Sequence, residues 1–143
     1  MLKELLKNNI KIIDSISNWE EAIYIAAEIL LNNGCIEKRY IQAIIDNIYK
    51  YGNYIVLRDN AAMPHARAED GVIKNGISLL KVRKGVDFYQ TDKKIYLFFT
   101  LAAEDSNAHQ DALLELANFL CDNEKIDKLI KEDLQEKEIL NLI

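Results

Sequence analysis

The sequence predicts an α/β fold, a three-layer sandwich in which a mixed central β-sheet lies between layers of flanking α-helices. Residues 95–103 are apolar on both alternating faces, as expected for a strand covered by helices on both sides. Amphipathic helical patterns precede and follow this run, and β-branched or apolar runs indicate further strands. Half of the 143 residues are hydrophobic, with five Gly and one Pro, so residues 1–143 are expected to form one globular domain.

The beginning of the chain predicts a helix, a short strand and a second helix. Residues 1–9 carry leucines at helical spacing, and Ile10–Ile13 could form a strand. Ser17 and Glu20 have the spacing of a capping box, in which each side chain bonds the backbone amide of the other residue. A helix should therefore begin there, and Asn32-Asn33-Gly34 should end it.

The rest of the chain alternates between strands and helices. The first predicted elements are a helix over 37–50 ended by Gly52, a strand over 54–57, a turn over 58–60 and an extended segment that carries His65. A loop over 68–71, a strand over 76–82, a turn at Lys84-Gly85, the strand over 95–103, a helix over 108–121 and two short helices within 123–143 follow. The two helices before residue 52 are expected to form a hairpin.

Composition and charge exclude several classes of function. The formal net charge is −5 and no basic run is present, which argues against nucleic-acid binding. Cys35, Cys121 and the two histidines fit no zinc-ligand spacing, so neither a metal nor an organic cofactor is expected. No apolar run is long enough for a signal peptide or a membrane span, so we expect a cytoplasmic location without membrane insertion.

The segment Asn60–Arg67 holds the only proline of the chain and one of its two histidines. Pro64 fixes its own φ and disfavours helical backbone at Met63, so the chain entering His65 should be stiff. The alanines of the segment leave room for another molecule to approach. A rigidly held imidazole suits nucleophilic attack in one direction, whereas a turn histidine without a chemical role is the alternative.

The second histidine, His109, falls near the start of the helix predicted over 108–121, after the possible N-cap residues 105–107. Strand ends and helix N-termini collect at one edge of a layered sheet, so His65 and His109 could share a site there. The free amides of a helix N-terminus attract a phosphoryl dianion, and a neutral imidazole accepts a phosphoryl group near pH 7. An ordinary histidine at a helix start is the alternative for His109.

Two further residues are candidates for contacts with a phosphoryl group or a partner protein. Arg67 lies two residues after His65 and points to the same side if the segment is extended. A solvated loop arginine is the alternative. Ser78, in the strand over 76–82, is the other candidate, with a plain strand residue as its alternative.

Several segments resemble a known family, the enzyme IIA component of the bacterial phosphoenolpyruvate-dependent sugar phosphotransferase system, of the mannitol/fructose class. The segments that carry this resemblance are residues 62–67, 76–80, 84–88 and 101–109, and the similarity covers nearly the whole chain. Residues 19–23, 40–45 and 63–67 are most similar to the ascorbate branch. The resemblance implies the fold stated above and a phosphotransferase activity.

The resemblance also implies roles and partners. His65 would accept a phosphoryl group from the phosphorylated carrier protein HPr and pass it to a cysteine of a IIB component. His109 would contact this group without carrying it. The membrane component IIC would be an indirect partner, and a homodimer is possible. A regulatory module, whose phosphorylation state controls another protein, is the alternative function.

The sequence departs from the family pattern at a few positions. A small residue usually stands seven positions before the active histidine and a larger aliphatic residue four positions before it, whereas here these are Arg58 and Ala61. An upstream arginine of the mannitol members has no counterpart, since Tyr49 and Lys50 occupy that region. These differences bear on the sugar-specific branch of the family and on docking to partner proteins more than on phosphoryl transfer.

Overall fold

The computed structural model describes all residues, 1–143, and contains six α-helices and five β-strands. The helices are α1 (Leu2–Leu6), α2 (Trp19–Asn32), α3 (Lys38–Tyr51), α4 (Gln110–Leu120), α5 (Asn123–Lys131) and α6 (Glu136–Leu142). The strands are β1 (Ile10–Ile13), β2 (Val56–Arg58), β3 (Ala61–Ala62), β4 (Gly76–Asp87) and β5 (Lys94–Ala102). A short 3-10 helix, Ala68–Asp70, lies in the predicted loop after His65.

The five strands form one mixed sheet in the order β1-β4-β5-β3-β2. The pairs β1 with β4 and β3 with β5 are parallel, whereas β4 with β5 and β2 with β3 are antiparallel. The long β4 and β5 occupy the middle of the sheet, and β3 is only two residues long. The predicted mixed sheet is therefore confirmed.

Helices cover both faces of this sheet. On one face, α2 and α3 pack with Leu80, Val82 and Phe98 of the central strands in a cluster of 21 buried residues. On the other face, α1, α4, α5 and α6 pack with Leu97 and Phe99 among others. The alternation of Leu97, Phe98 and Phe99 between two cores explains why β5 is apolar on both faces, and it confirms the three-layer α/β sandwich. None of the six helices is long and apolar enough to cross a membrane.

The beginning of α2 differs from the prediction by one residue. Asn18, and not Ser17, is the N-cap, and its side-chain oxygen accepts a hydrogen bond from the backbone amide of Glu21 at 2.9 Å. The predicted pairing of Ser17 with Glu20 is therefore wrong. Asn18 has an extended backbone, with φ of −157°, which directs its side chain toward the third amide of the helix.

The strand predicted over 54–57 begins later, because the chain first makes a turn. The backbone amide of Val56 donates to the carbonyl of Asn53 at 3.1 Å, and β2 starts only at Val56. Arg58 is thus the last residue of β2 and does not belong to the predicted turn. Its guanidinium donates to the carbonyl of Leu120 and to Oδ1 of Asn123, which ties β2 to the end of α4.

The predicted turn at Lys84-Gly85 is also wrong, since β4 continues through it to Asp87. The pairing of β4 with β5 shifts register between Lys81 and Val86, so the glycine belongs to a β-bulge. Gly85 has a φ of +69°, and a Cβ atom there would lie 2.9 Å from the ring of Tyr96. The glycine is needed for this bulge, and a sequence pattern cannot distinguish it from a turn glycine.

We predict that Gly85→Ala lowers the free energy of unfolding by about 2 kcal/mol, because it adds left-handed strain and a clash with the Tyr96 ring. The matched control is Gly34→Ala, where φ is +74° and nothing lies within 4 Å of the added Cβ. Gly34→Ala should lower the free energy of unfolding by only about 1 kcal/mol, because it adds backbone strain alone. Urea unfolding of the two variants measures both values, and equal losses would contradict the bulge assignment.

Candidate functional site

The two-residue strand β3 brings His65 to one edge of the sheet. Ala61 and Ala62 pair in parallel with Leu97 and Phe98 of β5. Beyond the end of β3 the chain continues beside β5, and the backbone amide of Leu101 donates to the carbonyl of Pro64 at 3.0 Å. The stiff proline segment is therefore held along the last residues of β5, and His65 follows directly at the carboxyl end of both strands.

The imidazole of His65 is held with one nitrogen free. Its Nδ1 lies 2.7 Å from the backbone carbonyl of Met63, and because a carbonyl can only accept, this bond requires the proton on Nδ1. Nε2 then carries the lone pair and is the nucleophilic atom. The ring of Tyr54 packs edge-on at 5.2 Å between centroids, and its hydroxyl donates to the carbonyl of His65. Both the backbone and the ring of the half-buried His65 are thus fixed.

His109 lies just before α4, whose first residue is Gln110. It is the N-cap residue and not part of the first turn as expected, and its carbonyl accepts the helical bond from Leu113 at 2.8 Å. The predicted N-cap residues 105–107 instead form a turn, in which the Asp105 carboxylate accepts from the amide of Asn107 at 2.8 Å. His109 has a φ of +61° and a ψ of 23°, a left-handed conformation that is uncommon for a residue with a side chain.

The His109 imidazole has an unused hydrogen-bonding atom. Nε2 is buried from solvent and has no hydrogen-bond partner within the protein. Burial lowers the pKa of His109 below its usual value of 6.5, while the nearby Glu104 carboxylate acts in the opposite direction. The ring is therefore neutral at pH 7. A buried, unpaired nitrogen at a left-handed residue is unfavourable for stability alone, which points to a function for this residue.

The topology brings the loops that carry the two histidines to the same edge. His65 follows β3 and His109 follows β5, and these strands are parallel neighbours. The chain therefore leaves the sheet toward both residues at the carboxyl ends of the strands. In α/β proteins this edge is where ligands bind. The amino end of α4 begins directly after His109, and its free amides add partial positive charge there. The arrangement suits a phosphoryl group bound at His65.

The other two candidate residues have different surroundings. The Arg67 side chain is 72% exposed and forms one ion pair, of 3.5 Å, with the equally exposed Glu69. Its guanidinium is free to contact a phosphoryl group or a partner protein. Ser78 is completely buried, and its hydroxyl donates to the carbonyl of Ala26 in α2 at 3.2 Å. Ser78 is thus a plain strand residue, which was the alternative interpretation, because no phosphoryl group or partner protein can reach it.

Sequence reasoning missed two tyrosines that support the site. Tyr54 was expected only as a strand residue, and Tyr40 only as part of the apolar face of a helix. The buried hydroxyl of Tyr40 accepts from the amide of Ala66 at 2.9 Å and donates to the carbonyl of Leu101 at 2.8 Å. The signal that could have found Tyr40 is the phenol itself, since a tyrosine in a buried stripe needs a polar partner.

The fold and this edge of the sheet suit a class of proteins, those that carry a phosphoryl group on a histidine. A family model described as "Phosphoenolpyruvate-dependent sugar phosphotransferase system, EIIA 2" matches residues 4–143. The chain therefore belongs to this family of enzyme IIA components, and it is a phosphotransferase that acts as a phosphoryl carrier in the sugar phosphotransferase system. The resemblance found in the sequence is confirmed.

Individual relatives agree with this assignment. The chain is 37% identical over 127 residues to the ascorbate-specific enzyme IIA component of Escherichia coli, covering 87% of this chain and 82% of the relative. The solution structure of the mannitol-specific cryptic enzyme IIA of the same organism has a TM-score of 0.88 and 34% identity, covering 99% and 96%. A complex of E. coli mannitol enzyme IIA with phosphorylated enzyme IIB gives a TM-score of 0.79 and 30% identity, covering 94% and 93%.

The lowered pKa of His109 predicts a pH-dependent contribution to stability. The unfolded chain binds the proton near pH 6.5 and the folded chain only at lower pH, so this contribution is complete above 6.5. It is lost as the pH falls through the folded pKa. We predict that the wild type loses more free energy of unfolding between pH 7.5 and pH 5 than His109→Asn does, since asparagine tolerates the left-handed backbone.

Urea unfolding at the two pH values measures this difference, and the effects of groups that do not interact with His109 cancel between the two proteins. An NMR titration of the His109 ring supplies the independent check and should give a midpoint below 6.5. Equal losses in both proteins would show that burial does not disfavour the charged ring.

Proposed function

We propose that Nε2 of His65 is the atom that carries the phosphoryl group. The observation that carries this proposal is the 2.7 Å bond from Nδ1 to the Met63 carbonyl, which leaves Nε2 as the free nitrogen. In the transfer, the Nε2 lone pair forms a bond to phosphorus as the bond from phosphorus to the donor breaks. The proton stays on Nδ1, and the Met63 carbonyl stabilises the positive charge that develops on the ring. No further general base is required.

The donor in this proposal is the phosphorylated carrier protein HPr, and the acceptor is a cysteine thiolate of a IIB component. The acceptor is supported by the related mannitol enzyme IIA, whose structure was solved in complex with phosphorylated IIB. His65 is only half-buried, and the side chain of the nearby Arg67 is 72% exposed. A site that opens to the surface suits a protein substrate.

His109 is proposed to contact the phosphoryl group without carrying it. The neutral ring of the partly exposed His109 can donate one hydrogen bond to a phosphoryl oxygen, and the first amides of α4 add to this stabilisation. Arg67 is proposed as a contact for the phosphoryl group or an acidic partner. Its exposed ion pair with Glu69 holds it only weakly, so the guanidinium can turn to either.

The transported sugar belongs to this proposal as well. The ascorbate branch is favoured by segments 19–23, 40–45 and 63–67, and the ascorbate-specific relative is 37% identical. A mannitol-specific cryptic relative from E. coli is 36% identical over 137 residues, so both types of IIB component belong in the test. The carrier would act in the cytoplasm, with the membrane component IIC as an indirect partner.

We predict that the protein gains one acid-labile phosphoryl group when it is incubated with phosphoenolpyruvate, enzyme I and HPr. Intact mass spectrometry measures the gain, and His65→Ala should show none, because the nucleophile is absent. The omission of HPr is the control for the donor. A full label on His65→Ala would overturn the assignment of the carrier atom. A label without HPr would overturn the assignment of HPr as the donor.

For His109→Ala, we predict that His65 is still labelled but that onward transfer to IIB slows by about a hundred- to a thousandfold, the range for removal of one donor to developing charge. Loss of label upon addition of ascorbate-type or mannitol-type IIB measures the rate. Normal transfer by the variant would remove His109 from the mechanism. A wild-type label that neither IIB type can remove would favour the regulatory alternative.

A further inference from the structure

A single hydroxyl group connects the segment that carries His65 to the last residues of β5. The Tyr40 hydroxyl accepts from the amide of Ala66, the residue after His65, at 2.9 Å. It donates to the carbonyl of Leu101, near the end of β5, at 2.8 Å. The carbonyl of Ala66 lies farther away, at 3.2 Å, and the one hydroxyl proton serves the nearer carbonyl. Tyr40 thus bridges the backbone segments that lead out of the sheet to the site.

The surroundings of Tyr40 make this bridge rigid. The residue is completely buried in the first turn of α3, and its ring packs in the core between α2, α3 and the sheet. Burial raises the pKa of Tyr40 to about 12, so the phenol keeps its proton throughout the physiological range. Because the ring cannot move away, the hydroxyl oxygen stays within hydrogen-bond distance of Ala66 and Leu101.

The segment around His65 needs such support because β3 is short. Its two residues make few ladder hydrogen bonds, so the alignment of His65 depends on bonds beyond the strand. The Leu101 amide holds Pro64 on one side of His65, and Tyr40 holds Ala66 on the other. Both supports meet at Leu101, since the carbonyl of that residue accepts from Tyr40.

We propose that Tyr40 is a positioning residue for phosphoryl transfer, fixing the His65 segment to the end of β5 through its hydroxyl. The proposal rests on the function proposed above. Transfer requires the phosphorus atom in line between the donor and acceptor atoms, so a small displacement of the His65 ring lowers the rate. Tyr40 lies in the core and touches neither substrate protein, so it acts on the chemical step and leaves docking unchanged.

The test compares Tyr40→Phe with the matched control Tyr49→Phe. The first variant removes only the bridging hydroxyl. The control removes a hydroxyl that bonds Glu20 at 2.8 Å on the outside of α2 and α3, from a tyrosine that is 50% exposed. Single-turnover transfer from phosphorylated HPr, measured over a range of HPr concentrations, gives the maximal rate and the half-saturating concentration for each protein.

For Tyr40→Phe, the maximal rate should fall about ten- to hundredfold, while the half-saturating concentration stays within about twofold of the wild type. Tyr49→Phe should match the wild type in both quantities. Tyr40→Phe should also melt at a temperature lower by roughly 2–8 °C, because two partly buried backbone groups lose their partner. All rates are therefore compared at a temperature where circular dichroism shows each variant fully folded.

The outcomes separate this proposal from the one on which it rests. If the wild type is labelled and Tyr40→Phe transfers at the same maximal rate, the positioning role is overturned while the carrier function stands. A rise in the half-saturating concentration of HPr with an unchanged maximal rate would assign Tyr40 to docking, and this result would also overturn the positioning role. If the wild type gains no phosphoryl group from HPr, both proposals fall.

A second measurement does not depend on activity. In the wild type, hydrogen exchange of the Ala66 amide should be slow, because Tyr40 accepts its hydrogen bond. Exchange at the rate of an exposed loop amide would overturn the bridge. In Tyr40→Phe, protection of this amide should fall at least tenfold more than that of the paired amides within β4 and β5.

Discussion

The parallel pairing of β3 with β5 is the constraint on which the candidate site depends. It comprises two residue pairs, yet it determines that the chain leaves both strands at the same edge of the sheet. Ala61 and Ala62 are completely buried on opposite faces of the sheet, one in each core. Small side chains suit this strand because helices cover it on both sides. The first half of the site is thus positioned by residues with almost no side chain.

The second half of the site depends on an unusual backbone. His109 interrupts the passage from β5 to α4 with a left-handed residue, so the helix begins after the imidazole and not around it. The side chain therefore lies at the amino end of the helix, close to its free backbone amides. The turn that Asp105 caps lies shortly before this residue in the chain.

Much of this architecture can be predicted from the sequence, because hydrophobic periodicity specifies it. The central run of β5, the helical stripes of α2 and α3, and the order of strands and helices are set by which side chains must avoid water. Both histidines can also be singled out, one by the proline before it and the other by its place after the central strand. The resemblance of nearby segments then adds the chemistry.

The parts that could not be predicted depend on backbone geometry and on long-range contacts. The bulge at Gly85 and the left-handed His109 are choices of φ that a pattern of apolar residues does not encode. The hydroxyls of Tyr40 and Ser78 find partners distant in the chain, at Ala66, Leu101 and Ala26. Only the folded chain shows that one of them supports the site while the other is a buried strand residue.

The edges of the sheet also affect how the protein behaves at high concentration. Strands β1 and β2 are the outermost, with four and three residues, and each presents unpaired backbone groups on its outer side. Short, irregular edges pair poorly with strands of another molecule, and the tether from Arg58 to the end of α4 further obstructs one of them. The strand that precedes the β3 pairing therefore also disfavours aggregation through its edge.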